Sequence, residues 1–200
     1  MNLFQKIKAF FSNSKTTQTY PSQGQNLTQT VQSNFQQESH SKTASNSNMS
    51  NQFDSRTETN IATLHPKVQV KAREFMSACI PEMAKSGVDV RIIGGYRTYD
   101  MQNKLYAQGR TESGQIVTNA RGGYSNHNFA TAFDIGLFKG PKYLEDSPLY
   151  EECGKIGVSV GLEWGGAWKG ITDEPHFQLA TGLTMAQMRE RVAEGKDVFA

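Results

Sequence analysis

Residues 12–60 of this chain offer almost nothing to fold with. About two-thirds of them are Ser, Thr, Asn or Gln, and their apolar residues come singly. Such a stretch cannot bury enough surface to offset its own ordering entropy, so it is expected to be disordered. At Ile61 the texture changes. Residues 61–200 read as one domain, long enough for a single core, and residues 1–60 as its leader. The leader begins with one patterned piece: Leu3, Phe4, Ile7, Phe10 and Phe11 share a helical face over residues 1–11. That segment suits peripheral contact with a membrane surface or a partner. It is too short to span, and it lacks the apolar core and cleavage site of a secretory signal peptide.

Charge narrows the function. The leader holds five basic residues (Lys6, Lys8, Lys15, Lys42, Arg56) and three acids (Glu38, Asp54, Glu58). Taken from totals of 21 and 19, these leave sixteen of each sign after residue 60. A formally neutral domain argues against a nucleic-acid-binding surface. No run of 18 apolar residues exists, so no membrane span is expected. Cys79 and Cys153 fall in apolar helical patterns and read as buried free thiols.

His65-Pro66-Lys67-Val68 opens a helix with proline in its first turn. Val68, Ala72, Phe75, Met76, Cys79 and Ile80 continue it at helical spacing, and Pro81 and Gly87 bracket its end. Residues 88–93 alternate and are β-branched, which predicts a strand. Gly94-Gly95-Tyr96-Arg97-Thr98 leaves that strand as a loop, and a helix over 100–108 stops at Gly109. The Gly-rich, polar residues 109–126 are expected to wrap a site. A strand over 132–138 and a helix over 148–160 follow, the helix with Leu149, Cys153, Ile156 and Val160 inward. A short strand at 176–179 and a last helix capped by Thr184 complete the pattern. Without strict βαβ alternation, this is an α+β domain with a small antiparallel sheet and flanking helices.

The chemistry sits in two segments. His127 and Asp134 stand seven residues apart, and Asp173 stands three before His176. Two imidazoles and one carboxylate are a full protein ligand set for catalytic zinc, and one acid remains as a base. The first pair lacks the i, i+4 spacing of helical ligands, so a turn or two short strands must bring it together. In an extended 176–178, His176 and Gln178 share a face and Phe177 points into the core. Asp173 is expected near the metal without binding it, with Glu174 as the rival base. His40 belongs to the leader and His65 to a helix start. Asp89, Glu145 and Glu163 read as solvated charges.

The pattern Ser125-x-His127…Ala132-x-Asp134, followed by Asp173-x-x-His176, resembles the zinc peptidases of bacterial peptidoglycan. These are the VanY-type D-alanyl-D-alanine carboxypeptidases and the related L-alanyl-D-glutamate endopeptidases, phage endolysins among them. Gly95-Tyr96-Arg97-Thr98, Leu105 to Thr111, Ile116 to Ala120, Gly161 to Gly166 and Trp168-Lys169 look like the endopeptidase branch. The resemblance spans roughly residues 61–185 and implies the Hedgehog/DD-peptidase fold. It implies that His127, Asp134 and His176 hold zinc, that Asp173 is the general base, and that Arg97 reaches the scissile carbonyl or a substrate carboxylate. Tyr124, Ser125 and Trp168 are the expected substrate contacts. Ala130 stands where the family usually has Gly, which reads as one added methyl that shifts packing. Tyr124 stands where a smaller or polar residue is common.

The resemblance implies a monomeric stem-peptide hydrolase, most of all an L-alanyl-D-glutamate endopeptidase. The alternatives are a D-alanyl-D-alanine carboxypeptidase or a non-catalytic zinc-containing wall-binding domain. Such an enzyme works at the wall or in the periplasm, delivered by holin-type release or a dedicated export machine.

Overall fold

The computed structural model describes residues 52–199. The amphipathic start, the leader up to residue 51 and His40 lie outside the described residues. Helix α1, Ser55–Ala62, begins before the boundary drawn from composition at 60/61. Asp54 caps it, accepting from the Arg56 and Thr57 amides. Its buried residues are Thr57 and Ile61. The Thr57 hydroxyl accepts the Ile92 N–H at 3.1 Å, and Asn60 donates to the Ile92 carbonyl at 2.9 Å. The polar residues that made this stretch look unfoldable instead bond to a strand edge.

Helix α2, Pro66–Ala84, starts at the His65 cap and buries Val68, Ala72, Phe75, Met76, Cys79 and Met83. It continues through Pro81, where a stop was expected, because Met83 beyond the proline is fully buried. The stop is Gly87, whose φ of 65° only glycine adopts freely. Ile80, placed in the apolar stripe by spacing, is 38% exposed.

The sheet is antiparallel throughout. Strands β1 (Asp89–Gly94), β2 (Ala132–Lys139), β4 (Glu163–Trp164) and β5 (His176–Gln178) run in the order β1-β2-β5-β4, and β3 (Lys142–Leu144) also pairs with β2. Helix α3 is Tyr99–Ala107, capped by Thr98. Helix α4 is Leu149–Ser159, and helix α5 is Met185–Ala193 behind a Thr184/Gln187 capping box. This is the expected α+β class.

Helices α2 and α4 supply the core on one face of the sheet. The Phe75 ring lies 4.7 Å from that of Phe177, and Phe133 and Phe177 stack at 5.8 Å. Helix α4 turns in Tyr150, Cys153, Gly154 and Gly157 rather than the larger stripe that spacing suggested; Leu149, Ile156 and Val160 are only partly buried. A side chain on Gly157 would meet the Phe177 ring, so the missing Cβ sets how close helix and sheet approach. Cys79 and Cys153 are buried free thiols with their sulfurs 3.2 Å apart. Side chains alternate across a strand. With Phe133 and Phe177 committed to this core, Asp134, His176 and Gln178 are left for the opposite face.

Candidate metal centre

Asp134 and His176 are direct cross-strand partners in the β2–β5 ladder. Such neighbours hold their Cβ atoms about 4.5–5.5 Å apart, so the ladder alone brings carboxylate and imidazole together. His127 arrives from a short 3-10 helix, Asn126–Phe129, just before β2. A single 3-10 turn, not an α-helix, therefore solves the seven-residue spacing. The turn closes at Ala130, the one described non-glycine residue with positive φ, at 56°. The residue at this position is thus a matter of backbone conformation, not of packing around a methyl group. The left-handed conformation costs an L-residue about 1–2 kcal/mol. We expect Ala130→Val, which adds β-branching there, to destabilise the protein by more than about 1 kcal/mol in urea unfolding, and Ala130→Gly to be tolerated.

Three atoms converge. His127 Nε2 lies 3.1 Å from Asp134 Oδ1, His176 Nδ1 lies 3.1 Å from the same oxygen, and the two nitrogens are 3.3 Å apart. Tetrahedral zinc with bonds of about 2.0–2.1 Å places its ligand atoms about 3.3–3.4 Å from one another. The triangle already has nearly that edge. All three residues are buried, and they form a metal-capable group among the described residues.

Hydrogen bonds on the outer edges of the rings settle which atoms face inward. His127 Nδ1 lies 2.8 Å from the Gly95 carbonyl, which only accepts, so Nδ1 carries the proton and Nε2 offers a lone pair. His176 Nε2 lies 3.0 Å from Gln178 Oε1 and donates to it, leaving Nδ1 free. Metal-binding histidines are held in this manner. Burial pushes the His127 imidazole down to about 4, aided by the nearby Arg97 charge, so it stays neutral and ready to bind. Burial opposes the charge on Asp134, but His127, His176 and Arg97 outweigh it and hold the carboxyl well below the usual range. For His176 burial lowers the pKa, yet the Asp134 carboxylate prevails and raises it.

Asp173 stands outside the triangle. Residues 173–176 form a turn ahead of the extended 176–178: the His176 amide donates to the Asp173 carbonyl at 3.1 Å, which folds Asp173 back toward the centre. Gly165 makes room, since a Cβ there would press on the Asp173 carbonyl. Burial, then the Asp134 charge, push the Asp173 carboxyl up to about 6, against the pull of His176 and Arg97. The rival acid, Glu174, uses its carbonyl to accept the Trp164 indole N–H at 2.8 Å.

Arg97 leaves β1 on the expected loop, and its guanidinium lies 3.5 Å from Asp134 Oδ2 with the side chain 14% exposed. Its amide donates to the His127 carbonyl at 3.0 Å. Asn128, which sequence reasoning passed over, ties the loops together by donating to the Arg97 carbonyl at 2.8 Å and accepting from Gly123 at 3.0 Å. The Trp168 ring sits 5.0 Å from that of His176 and is 39% exposed. Tyr124 is 50% exposed beneath the Arg189 guanidinium, which is 4.2 Å from its ring. Ser125 begins the His127 turn, its carbonyl accepting from Asn128 at 2.9 Å. His65 stays at its helix cap, 3.1 Å from Asp197.

A family model described as D-alanyl-D-alanine carboxypeptidase matches residues 118–179. The peptidoglycan L-alanyl-D-glutamate endopeptidase CwlK of Bacillus subtilis is 38% identical over 126 residues, covering 58% of this chain and 73% of that protein. Among solved structures, the Serratia marcescens L-Ala D-Glu endopeptidase ChiX is similar with TM-score 0.42 and 19% identity, over 65% of this chain and 90% of that one. The vancomycin-resistance D,D-pentapeptidase VanY, solved with Zn(II), is similar with TM-score 0.43 and 14% identity, over 68% of this chain and 81% of that one.

Proposed function

This chain belongs to the family of peptidases that holds the D-alanyl-D-alanine carboxypeptidase model and the L-alanyl-D-glutamate endopeptidase of Bacillus subtilis, and on that premise we propose that it is a zinc peptidase cutting the L-Ala–D-Glu bond of the peptidoglycan stem peptide. The observation that carries this reading is the triangle of His127 Nε2, Asp134 Oδ1 and His176 Nδ1, with the half-buried acid Asp173 beside it. These three side chains would hold the ion. When bound, zinc supplies Lewis-acid polarisation of the attacking water and the peptide carbonyl.

The chain's own residues do the rest. Asp173 takes the proton from the attacking water and returns it to the leaving amine. Arg97 holds a buried positive charge beside the centre and stabilises negative charge developing on the scissile carbonyl oxygen. Trp168 and Tyr124 present exposed rings as walls for the stem peptide, and Ser125, the residue that opens the His127 turn, is the polar contact beside them. The protein acts as a monomer at the wall or in the periplasm. Among the described residues, no helix is long and apolar enough to cross a membrane.

Because Asp173 must be ionised to act, kcat/KM is expected to fall about tenfold per pH unit on the acid side. That limb lies at or below about 6, since bound zinc pulls the carboxyl down from its metal-free position. An acid limb that is unchanged in Asp173→Asn contradicts the role of Asp173.

The second reading, a D-alanyl-D-alanine carboxypeptidase, rests on the description of the family model. Digestion of purified muropeptides, weighed by mass spectrometry with and without a chelator, separates the two. The endopeptidase releases the peptide from D-Glu onward and leaves L-Ala on the sugar; the carboxypeptidase removes one terminal alanine. Wall binding without cleavage would favour the non-catalytic module.

A further inference from the structure

The His176–Gln178 bond is the first link of a longer polar chain. His176 Nε2 lies 3.0 Å from Gln178 Oε1. Gln178 Nε2 donates to Glu163 Oε2 at 2.6 Å, and Asn126 Nδ2 donates to the same Gln178 oxygen at 2.5 Å. A carboxylate only accepts, so Glu163 forces the amide nitrogen of Gln178 to its own side and the oxygen toward His176. The register builds this line: Gln178 pairs with Glu163 across β4–β5 and with Ala132 across β2–β5, while His176 lies two residues along on the same face.

We propose that Glu163, through Gln178, is a positioning device for the metal ligand His176, fixing its ring so that Nδ1 points at the ion. The proposal rests on the zinc reading above. Glu163 is exposed and by composition looks like a solvated charge, yet as a carboxylate it can only accept, so its bond to Gln178 fixes the polarity of the line, with the Asn126 donor in agreement. Reversed, the amide would set an N–H against the imidazole N–H. His176 would then tilt or present the wrong nitrogen. Asn126 joins this line to the other histidine, since it begins the 3-10 turn that carries His127.

The test is zinc affinity of the purified full chain, measured by competition with a chromophoric chelator, together with the visible spectrum of the cobalt(II) form. Gln178→Leu is expected to weaken zinc binding about 10–100-fold and to alter the cobalt bands. Glu163→Ala, an exposed change that spares folding, is expected to fall at the lower end of that range. The reciprocal double variant E163Q/Q178E keeps an acceptor against His176 and a donor across the strand. It is expected to bind zinc at least as tightly as wild type and to restore the cobalt spectrum. A merely structural role predicts no such rescue. Wild-type affinity in Glu163→Ala overturns the proposal even if Gln178→Leu does not fold, and so does a double variant as weak as Gln178→Leu. A wild-type chain that binds no zinc overturns the parent reading as well.

Discussion

Asp173→Ala is expected to keep its zinc and lose turnover by about 10²–10⁴-fold, the range for removing a positioned general base. The argument is geometric first. Asp173 lies outside the three-atom triangle, so its removal leaves every proposed ligand in place. The turn that carries it is held by backbone bonds, from its own amide to Gly165 and from His176 to its carbonyl, both of which survive the change. Its electrostatics agree. Burial and the Asp134 charge raise the Asp173 carboxyl and the bound ion draws it back, so it is ionised and able to accept a proton near neutral pH, whereas Asp134 is held well below the usual carboxylate range. Zinc content by metal analysis and kcat/KM on muropeptides must be read from one preparation. Loss of zinc in step with activity would make Asp173 a ligand and leave the reaction without its assigned base.

His127→Ala is expected to lose both. His127 Nε2 is one corner of the triangle, and the buried ring also anchors the β1 loop through Gly95. Disturbing a ligand's partner costs about 10–100-fold in metal affinity, so removing the ligand itself should cost more. Activity should vanish with the metal, and added zinc at wild-type saturating levels should not restore it. The same chelator competition that reads the Gln178 variants reads this one. Intact zinc affinity in His127→Ala would break the assignment. The two variants together divide metal binding from catalysis, since one is expected to lose both and the other only turnover.

The site was more legible in the sequence than the frame around it. His127, Asp134 and His176 stood out because histidine is scarce here and the acids sit at fixed offsets from it. The alternation in 176–178 also gave the right faces, with Phe177 in the core and Gln178 beside His176. Helix α1 was hidden because it attaches by hydrogen bonds from Thr57 and Asn60, and no apolar periodicity records a hydrogen bond to a distant strand. Strands β3 and β4, Lys142–Leu144 and Glu163–Trp164, are not marked as strands by any alternation that stands out from their flanking loops. Glu163 acquires meaning only through the β4–β5 register, and Asn126 only through the turn that precedes β2; they stand 15 and 52 positions from Gln178. Ala130 was read as a packing change because sequence shows the missing glycine but not the φ it must adopt.

The central claim is one divalent ion held by His127, Asp134 and His176. Anomalous diffraction at the zinc absorption edge, on crystals of the chain grown with equimolar zinc, tests it most directly. The account predicts one strong peak about 2.0–2.1 Å from His127 Nε2, Asp134 Oδ1 and His176 Nδ1. No peak within bonding reach of those three atoms, with the side chains ordered, would contradict it.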